Sequence, residues 1–342
     1  MKKTLKTYAK RYFIDAMGAM ALGLFASLLI GTIFQTIGQY TGLSFLCDIN
    51  KYAAAASGMA IGVAIAHALK SDTLVMLSAA VVGSIGYSFP THFEAIDRSL
   101  TAGPAGAFVA VVVACEIAQL VSKKTKVDIL VTPTVAILVG YGVSWLVCPG
   151  ISYVVYALGD FINTATEYQP FLMGVVISVV VGMILTLPIS SAAICAMIGI
   201  SGLAGGAATV GCCAQMIGFA FMSFRANRWS GLVAQGLGTS MLQMGNICRK
   251  PQIWIPPTLA AAICGPLSTM VFRLECTGVS AGMGTCGLVG PLGILTATEK
   301  EPRMWAGLAL LCFVLPAVLS CLFGFLMEKM GLYRQEDLKL PQ

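Results

Sequence analysis

The sequence predicts an all-α polytopic membrane protein, with about nine or ten transmembrane helices and two re-entrant hairpins. Three observations carry that expectation. The 342-residue chain is 57% apolar and only 11% charged, against roughly 25% charged residues in a soluble globular domain. Apolar runs long enough to cross a bilayer recur from one end to the other. The stretch from Pro188 to Gly293 is apolar yet rich in glycine and interrupted. In a bilayer, non-helical backbone survives only where protein or a water-filled cavity satisfies its polar groups. A β-barrel would instead show ~10-residue alternating segments.

Taken in order, the first element is a span over 16–37, preceded by a basic segment carrying Lys2, Lys3, Lys6, Lys10 and Arg11. A signal peptide would offer a short apolar core and a small-residue cleavage site; this run is long enough to be a retained first helix. Further spans are expected over 52–70, 73–90, 102–122 and 128–148. With the N-terminus on the cytoplasmic side, the positive-inside rule then reads consistently along the loops. Lys70-Ser71-Asp72 falls inside. The loop bearing His92, Glu94, Asp97 and Arg98 falls outside. Lys123, Lys124 and Lys126 fall inside, and Cys148 to Gln169, without Lys or Arg, falls outside. Lys51, in the first outer loop, is the one discordant charge. Ile151 to Tyr168 reads either as an interfacial helix or as an outer loop.

The second half begins with a span over 171–187 that ends at Pro188. If Ser190 to Phe224 were one crossing, Arg225 and Arg228 would fall outside; a re-entrant hairpin keeps them inside, and the charge rule favours the hairpin. Spans follow over 229–247, 252–272 and 304–328, with a second broken segment over 277–298. Two octapeptides, Pro188 to Cys195 and Pro257 to Cys264, are similar, and each precedes a Gly-rich segment. Such a duplication fits secondary transporters, which keep substrates at broken helices. The expected organisation is a scaffold half, 1–168, and a transport core, 169–342.

Deep polar side chains are costly in a membrane and default to functional candidates. The substrate-binding candidates are Ser190, Ser191, Thr209, Gln215, Gln235, Thr239, Gln243, Asn246, Glu275 and Thr285, with Ser240 beside them. Amides and hydroxyls both donate and accept hydrogen bonds, which suits a polyhydroxylated solute. Gln243 and Asn246 share a face if their segment is helical. Arg249 and Lys250 read as a topogenic loop or as a face for a phosphorylated partner. The twelve cysteines lie mostly in apolar runs, where cysteine behaves as a small hydrophobe. The net charge of +6 follows from cytoplasmic loops and is no nucleic-acid signal. No Walker motif and no H-E-x-x-H occurs, so no catalytic residue, metal site or cofactor is expected.

Three strings, T-L-P-I-S-S-A-A-I-C-A-M-I-G, Q-G-L-G-T-S-M-L-Q-M-G-N-I-C-R-K-P and G-M-G-T-C-G-L-V-G-P-L-G, resemble the stand-alone membrane subunit IIC family of the bacterial phosphotransferase system. More narrowly they resemble its PfoS/PfoR branch, named for a toxin-gene regulator. The resemblance implies a homodimer in the bacterial cytoplasmic membrane that moves a sugar-like solute by an elevator-type motion. It also implies separate IIA and IIB partners that phosphorylate the sugar at the inner face. A membrane solute sensor, or a non-phosphorylating metabolite transporter on the same fold, are the alternatives. The sequence departs from the family pattern in two ways. Its segment Gly282 to Gly293 carries no Glu, and neither histidine lies in the second half.

Overall fold

The computed structural model describes residues 11–93, 96–125, 127–166 and 168–340, without the side chains of 13, 40 and 92–100. The lysines before Arg11, Lys126, Glu94, Glu167 and the side chains of His92, Asp97 and Arg98 therefore lie outside the description. The chain is an all-α polytopic membrane protein. Six helices are long and apolar enough to cross a bilayer, a bent helix pair makes a seventh, and three shorter apolar helices accompany them among the described residues. The chain divides into two compact units, 1–155 and 156–342.

In the first unit, α1 (Ile14–Gln39) is followed by α2 (Ser44–Ala55), α3 (Ser57–Ala68) and α4 (Thr73–Ser88). A short antiparallel hairpin, β1 (Pro90–Phe93) with β2 (Ile96–Thr101), leads into α5 (Gly103–Val121). Glycines let these helices touch backbone to backbone. A Cβ at Gly62 would sit 2.0 Å from the Ala79 carbonyl oxygen, and one at Gly83 2.2 Å from that of Gly58. The loops expected inside gather at one end. Arg11 pairs with Glu116 at 2.9 Å and donates to the Leu69 carbonyl at 3.1 Å. Gln119 donates to the Lys70 carbonyl, and Lys123 and Ser122 both bind Asp72. Those partners, Lys123 first, hold the Asp72 carboxyl below the usual range.

Two expectations for this half change. Lys51 is not in a loop: it lies on α2, paired with Asp48 at 2.8 Å, and α2 bends by 50° into α3. Of the expected stretch 151–168, residues 151–165 are neither loop nor separate interfacial helix, and Glu167 lies outside the described residues. Residues 151–165 continue α6 (Asp128–Ala165), a 38-residue helix that runs through Pro149. At 1.5 Å per residue it is about 57 Å long, against a hydrocarbon core of about 30 Å. The Cys-Pro-Gly at 148–150 lowers local hydropathy, which reads as an end, yet proline is tolerated inside membrane helices.

The second unit is built on α7 (Pro170–Thr186), α9 (Gly202–Met222), α12 (Pro251–Phe272) and α15 (Pro302–Lys329). Proline at the first turn starts α7, α12 and α15, where its missing N–H costs nothing. Helix α9 is the axis: 94% of its apolar window is buried, against 22% for α6. Residue pairings fix the directions. Gly174 meets Pro266, and Ser178 Oγ donates to the Ala261 carbonyl at 2.9 Å, so α7 and α12 are antiparallel. Gln215 reaches Thr258, and Gly218 meets Pro257, so α9 and α12 are antiparallel too. Gly218 meets Ser320, and Met222 meets Gly324, so α15 runs parallel to α9.

These directions define two ends. One is basic, with Arg225, Arg228, Arg249, Lys250 and Lys329 near it; the other, with Arg273, Glu275, Glu299, Lys300, Glu301 and Arg303, is mixed. Because α7 and α9 are parallel, residues 187–201, with the short helix α8 (Ser191–Met197), form a return leg. Arg225 and Arg228 therefore lie at the end where α7 finishes, as the charge argument requires. The segment 202–222 itself, however, is one unbroken 21-residue helix. Its glycines are contact sites, not breaks: a Cβ at Gly205, Gly206 or Gly211 would fall 1.8–2.0 Å from a carbonyl oxygen of Cys276, Leu274 or Ser178. The two similar octapeptides occupy unlike elements, one in the return leg and one inside α12.

Candidate functional site

Two broken hairpins enter the second unit from opposite ends. The first replaces the span expected over 229–247. It comprises α10 (Phe224–Val233), a π turn (Ala234–Gly238), a 3-10 turn (Ser240–Gln243) and α11 (Met244–Arg249). Helical geometry is interrupted within α10 at Arg228 (φ 54°, ψ −151°) and fails again at Thr239, which is extended (φ −159°, ψ 144°). Asn227 before the break and Asn246 after it both bind the same tail segment, residues 338–340, which follows a 3-10 turn (Gln335–Leu338). The segment therefore returns to the basic end where it started.

The second hairpin leaves the mixed end after Glu275. It holds α13 (Gly278–Ala281), a 3-10 turn (Cys286–Leu288) and α14 (Val289–Ala297). Thr298 Oγ1 donates to the Glu275 carbonyl at 3.0 Å and accepts the Glu275 N–H at 2.8 Å, so its two ends meet. Gly284 and Gly287 take positive φ (55° and 53°), a conformation glycine adopts without strain. Here the broken backbone foreseen for 277–298 is observed.

The tips converge beside α9. The π turn Ala234–Gly238 packs on the 3-10 turn Cys286–Leu288. Thr285 Oγ1 points to Met216 Sδ at 3.6 Å, and Gly236 faces Ile217 and Ala220. The Thr186 and Ser240 hydroxyls hydrogen-bond at 2.8 Å, both fully buried. Thr239 Oγ1 caps the following turn by accepting the Met241 N–H. The helical runs after Ser240 and Val289 begin at this junction, so their N–H-rich ends point towards it.

Thr239 lies at this junction, and the other predicted residues fall into five groups. Ser191, Thr209 and Thr285 gather with the mixed-end hairpin: Ser191 Oγ donates to the Gly282 carbonyl at 2.7 Å, and the Thr209 methyl lies against Gly290. Ser190 caps α8 by accepting the Ala193 N–H. Gln235, Gln243 and Asn246 form a chain at the basic-end hairpin. Asn246 Nδ2 donates to Gln243 Oε1 (2.7 Å), and Gln243 Nε2 to Gln235 Oε1 (2.9 Å); Gln235 Nε2 donates to Ser223 Oγ (2.8 Å). Gln215 stands apart, clasped between Trp254 and Thr258 of α12. Glu275 stands apart too, in an open cleft of about 490 Å³ at the mixed end with Arg273, Glu299, Glu301 and Arg303.

Sequence reading passed over Thr186, Asn227 and the tail carbonyls that Asn227, Gln243 and Asn246 engage. Thr186 carried a usable signal, a hydroxyl two residues before a helix-ending proline. Two short spellings associated with catalysis also occur. Gly278-Val-Ser-Ala-Gly282 matches G-x-S-x-G, but that motif needs a strand-to-helix turn and a histidine partner. Here it forms a short helical turn in a half without histidine. His92-Phe-Glu94 matches H-x-E without the accompanying P-C-x-x-C.

No curated protein and no solved structure matches the chain. A family model does, the one described as "Phosphotransferase system, EIIC", over residues 14–340. That match covers both units, both hairpins and the tail segment that ties the amides, so the chain belongs to the phosphotransferase system EIIC family, whose members have a membrane permease role.

Proposed function

We propose that this chain binds a sugar-like solute at the junction of the two hairpin tips and carries it across the membrane by alternate exposure to either side. The observation that supports the reading is the meeting of two hairpins from opposite ends at one buried polar point. Either hairpin can uncover that point towards its own side while the other keeps it closed. Thr186, Thr239, Ser240 and Thr285 supply hydroxyls there, and Ser191 and Thr209 support the mixed-end hairpin behind them. Hydroxyls that both donate and accept suit a neutral polyol, and helix N-termini at broken segments suit its electronegative groups. Gln235, Gln243 and Asn246 contribute by shaping the basic-end hairpin, since their amides are already engaged with one another.

By the positive-inside rule the basic end is cytoplasmic. IIA and IIB partners of the family would then meet the solute from the side of Arg225, Arg228, Arg249 and Lys250. The first unit serves as the scaffold and dimerisation half, and an elevator-type displacement of the second unit accounts for the crossing. The test is uptake into proteoliposomes of radiolabelled neutral hexoses, hexitols and N-acetylhexosamines, with and without a phosphoryl donor system. The reading predicts saturable uptake of at least one of them, abolished by Ser240→Tyr. Uptake of none, or equal uptake by that variant, refutes it.

A further inference from the structure

Residues 333–340 do not leave the molecule. After α15 the chain turns at Gly331 (φ 74°) and runs back across the basic end of the second unit. Tyr333 is 1% exposed, and its hydroxyl donates to the Gly324 carbonyl at 2.8 Å. Leu338 is fully buried among Phe219, Met222, Ile247 and Ile253. Between and beyond these anchors the tail is polar: Arg334, Gln335, Glu336, Asp337 and Lys339.

Three side chains read the tail through its backbone. Asn227 Nδ2 donates to the Leu338 carbonyl, and its Oδ1 accepts the Leu340 N–H, both at 2.8 Å. Gln243 Nε2 donates to the same Leu338 carbonyl, and Asn246 Nδ2 to that of Lys339, both at 2.9 Å. Lys250 Nζ lies 3.7 Å from Asp337 Oδ2. Asn227 lies on the first leg of the basic-end hairpin, while Gln243, Asn246 and Lys250 follow its tip. One tail segment thus ties both legs together.

We infer that residues 333–340 form a strap that holds the basic-end hairpin closed, and that the hairpin opens only when the strap leaves. The reason is polar satisfaction. Gln243 is fully buried and Asn246 is 7% exposed. When the tail carbonyls withdraw, these buried amides lose acceptors, which is costly. Departure of the strap and entry of water are therefore one event, and the water enters along the hairpin that Gln243 and Gln235 line. The strap rests on the reading above only in the claim that this hairpin guards the solute path.

The experiment is hydrogen–deuterium exchange of the full chain in nanodiscs, without solute, comparing wild type, Leu338→Asp and a chain ending at Leu332. The strap predicts that exchange across 234–246 rises about tenfold or more, while α12 changes by less than about twofold. Adding a peptide with the sequence of 331–340 to the shortened chain restores protection. Unchanged exchange across 234–246 in Leu338→Asp overturns the strap. So does an equal rise in α9 and α12, which would make the tail a general staple. If the shortened chain does not fold, Leu338→Asp in the full chain decides. Failure of solute uptake alongside the predicted exchange pattern would sink the transport reading and leave the strap standing.

Discussion

Replacing Gly206 by alanine drives a methyl group into backbone. The added Cβ would sit 1.8 Å from the Leu274 carbonyl oxygen and 2.6 Å from its carbon. Neither atom belongs to a flexible side chain, so α9 and the segment leading into the mixed-end hairpin must part. Overpacking of this kind costs about 1–3 kcal/mol, and the better helix propensity of alanine returns about 1 kcal/mol. A Cβ this close to rigid backbone falls at the upper end of that range, about 2–3 kcal/mol, so the net loss is about 1–2 kcal/mol and corresponds to a fall in Tm of about 2–8 °C for a unit of this size. Gly236→Ala is the matched control, because its Cβ would stand 3.6 Å from Ala220 and Ile217, an ordinary contact. Gly142→Ala, with nothing within 4 Å, is expected to be neutral or stabilising by up to about 1 kcal/mol. The assay is thermal unfolding of each variant in nanodiscs. A Gly206→Ala variant that melts with the wild type, or no lower than Gly236→Ala, would refute the claim that these glycines exist for close approach.

Other outcomes follow from the same contacts. Gln243→Ala leaves the Gln235 and Asn246 amides and the Leu338 carbonyl each short of a partner; a loss of about 1–3 kcal/mol is expected, read as a lower Tm. Trp254→Phe removes the indole N–H that Gln215 accepts at 3.1 Å and should lower Tm by a smaller amount while leaving solute uptake intact. Asp72 has a folded pKa below its unfolded value of about 3.9. Its contribution is therefore complete above about pH 4 and is lost as pH falls through the folded value. Melting of the wild type should stay flat from about pH 8 to about pH 5 on this account, and Asp72→Asn should flatten the part of the acid limb due to this carboxylate.

The apolar runs made most spans legible, because length and hydropathy are what a bilayer selects. The expected 16–37, 73–90, 102–122, 252–272 and 304–328 match α1, α4, α5, α12 and α15 closely. Glycine was the ambiguous letter. In 202–222 it marks close packing inside an unbroken helix, whereas in 282–290 it marks turns, and composition alone does not separate the two. The basic-end hairpin was hidden for the converse reason. Residues 229–247 have the length of a span, and their break depends on one extended residue, Thr239, and on amides whose partners lie about ninety residues away in the tail. Local sequence cannot show such a partner. Among the candidate hydroxyls Ser190, Ser191, Thr239, Ser240 and Thr285 lie near breaks and Thr209 lies inside the unbroken α9; how they group needed the directions of α7, α9 and α12.

The central claim is that a solute sits where the hairpin tips meet, beside Thr186 and Ser240. The most direct test is solute-induced thermal stabilisation of purified protein with a panel of neutral hexoses, hexitols and N-acetylhexosamines, repeated on Ser240→Ala and Thr186→Val. The account predicts that at least one member stabilises the wild type and that both substitutions weaken the shift. A shift that survives both substitutions unchanged, or no shift with any member, contradicts it.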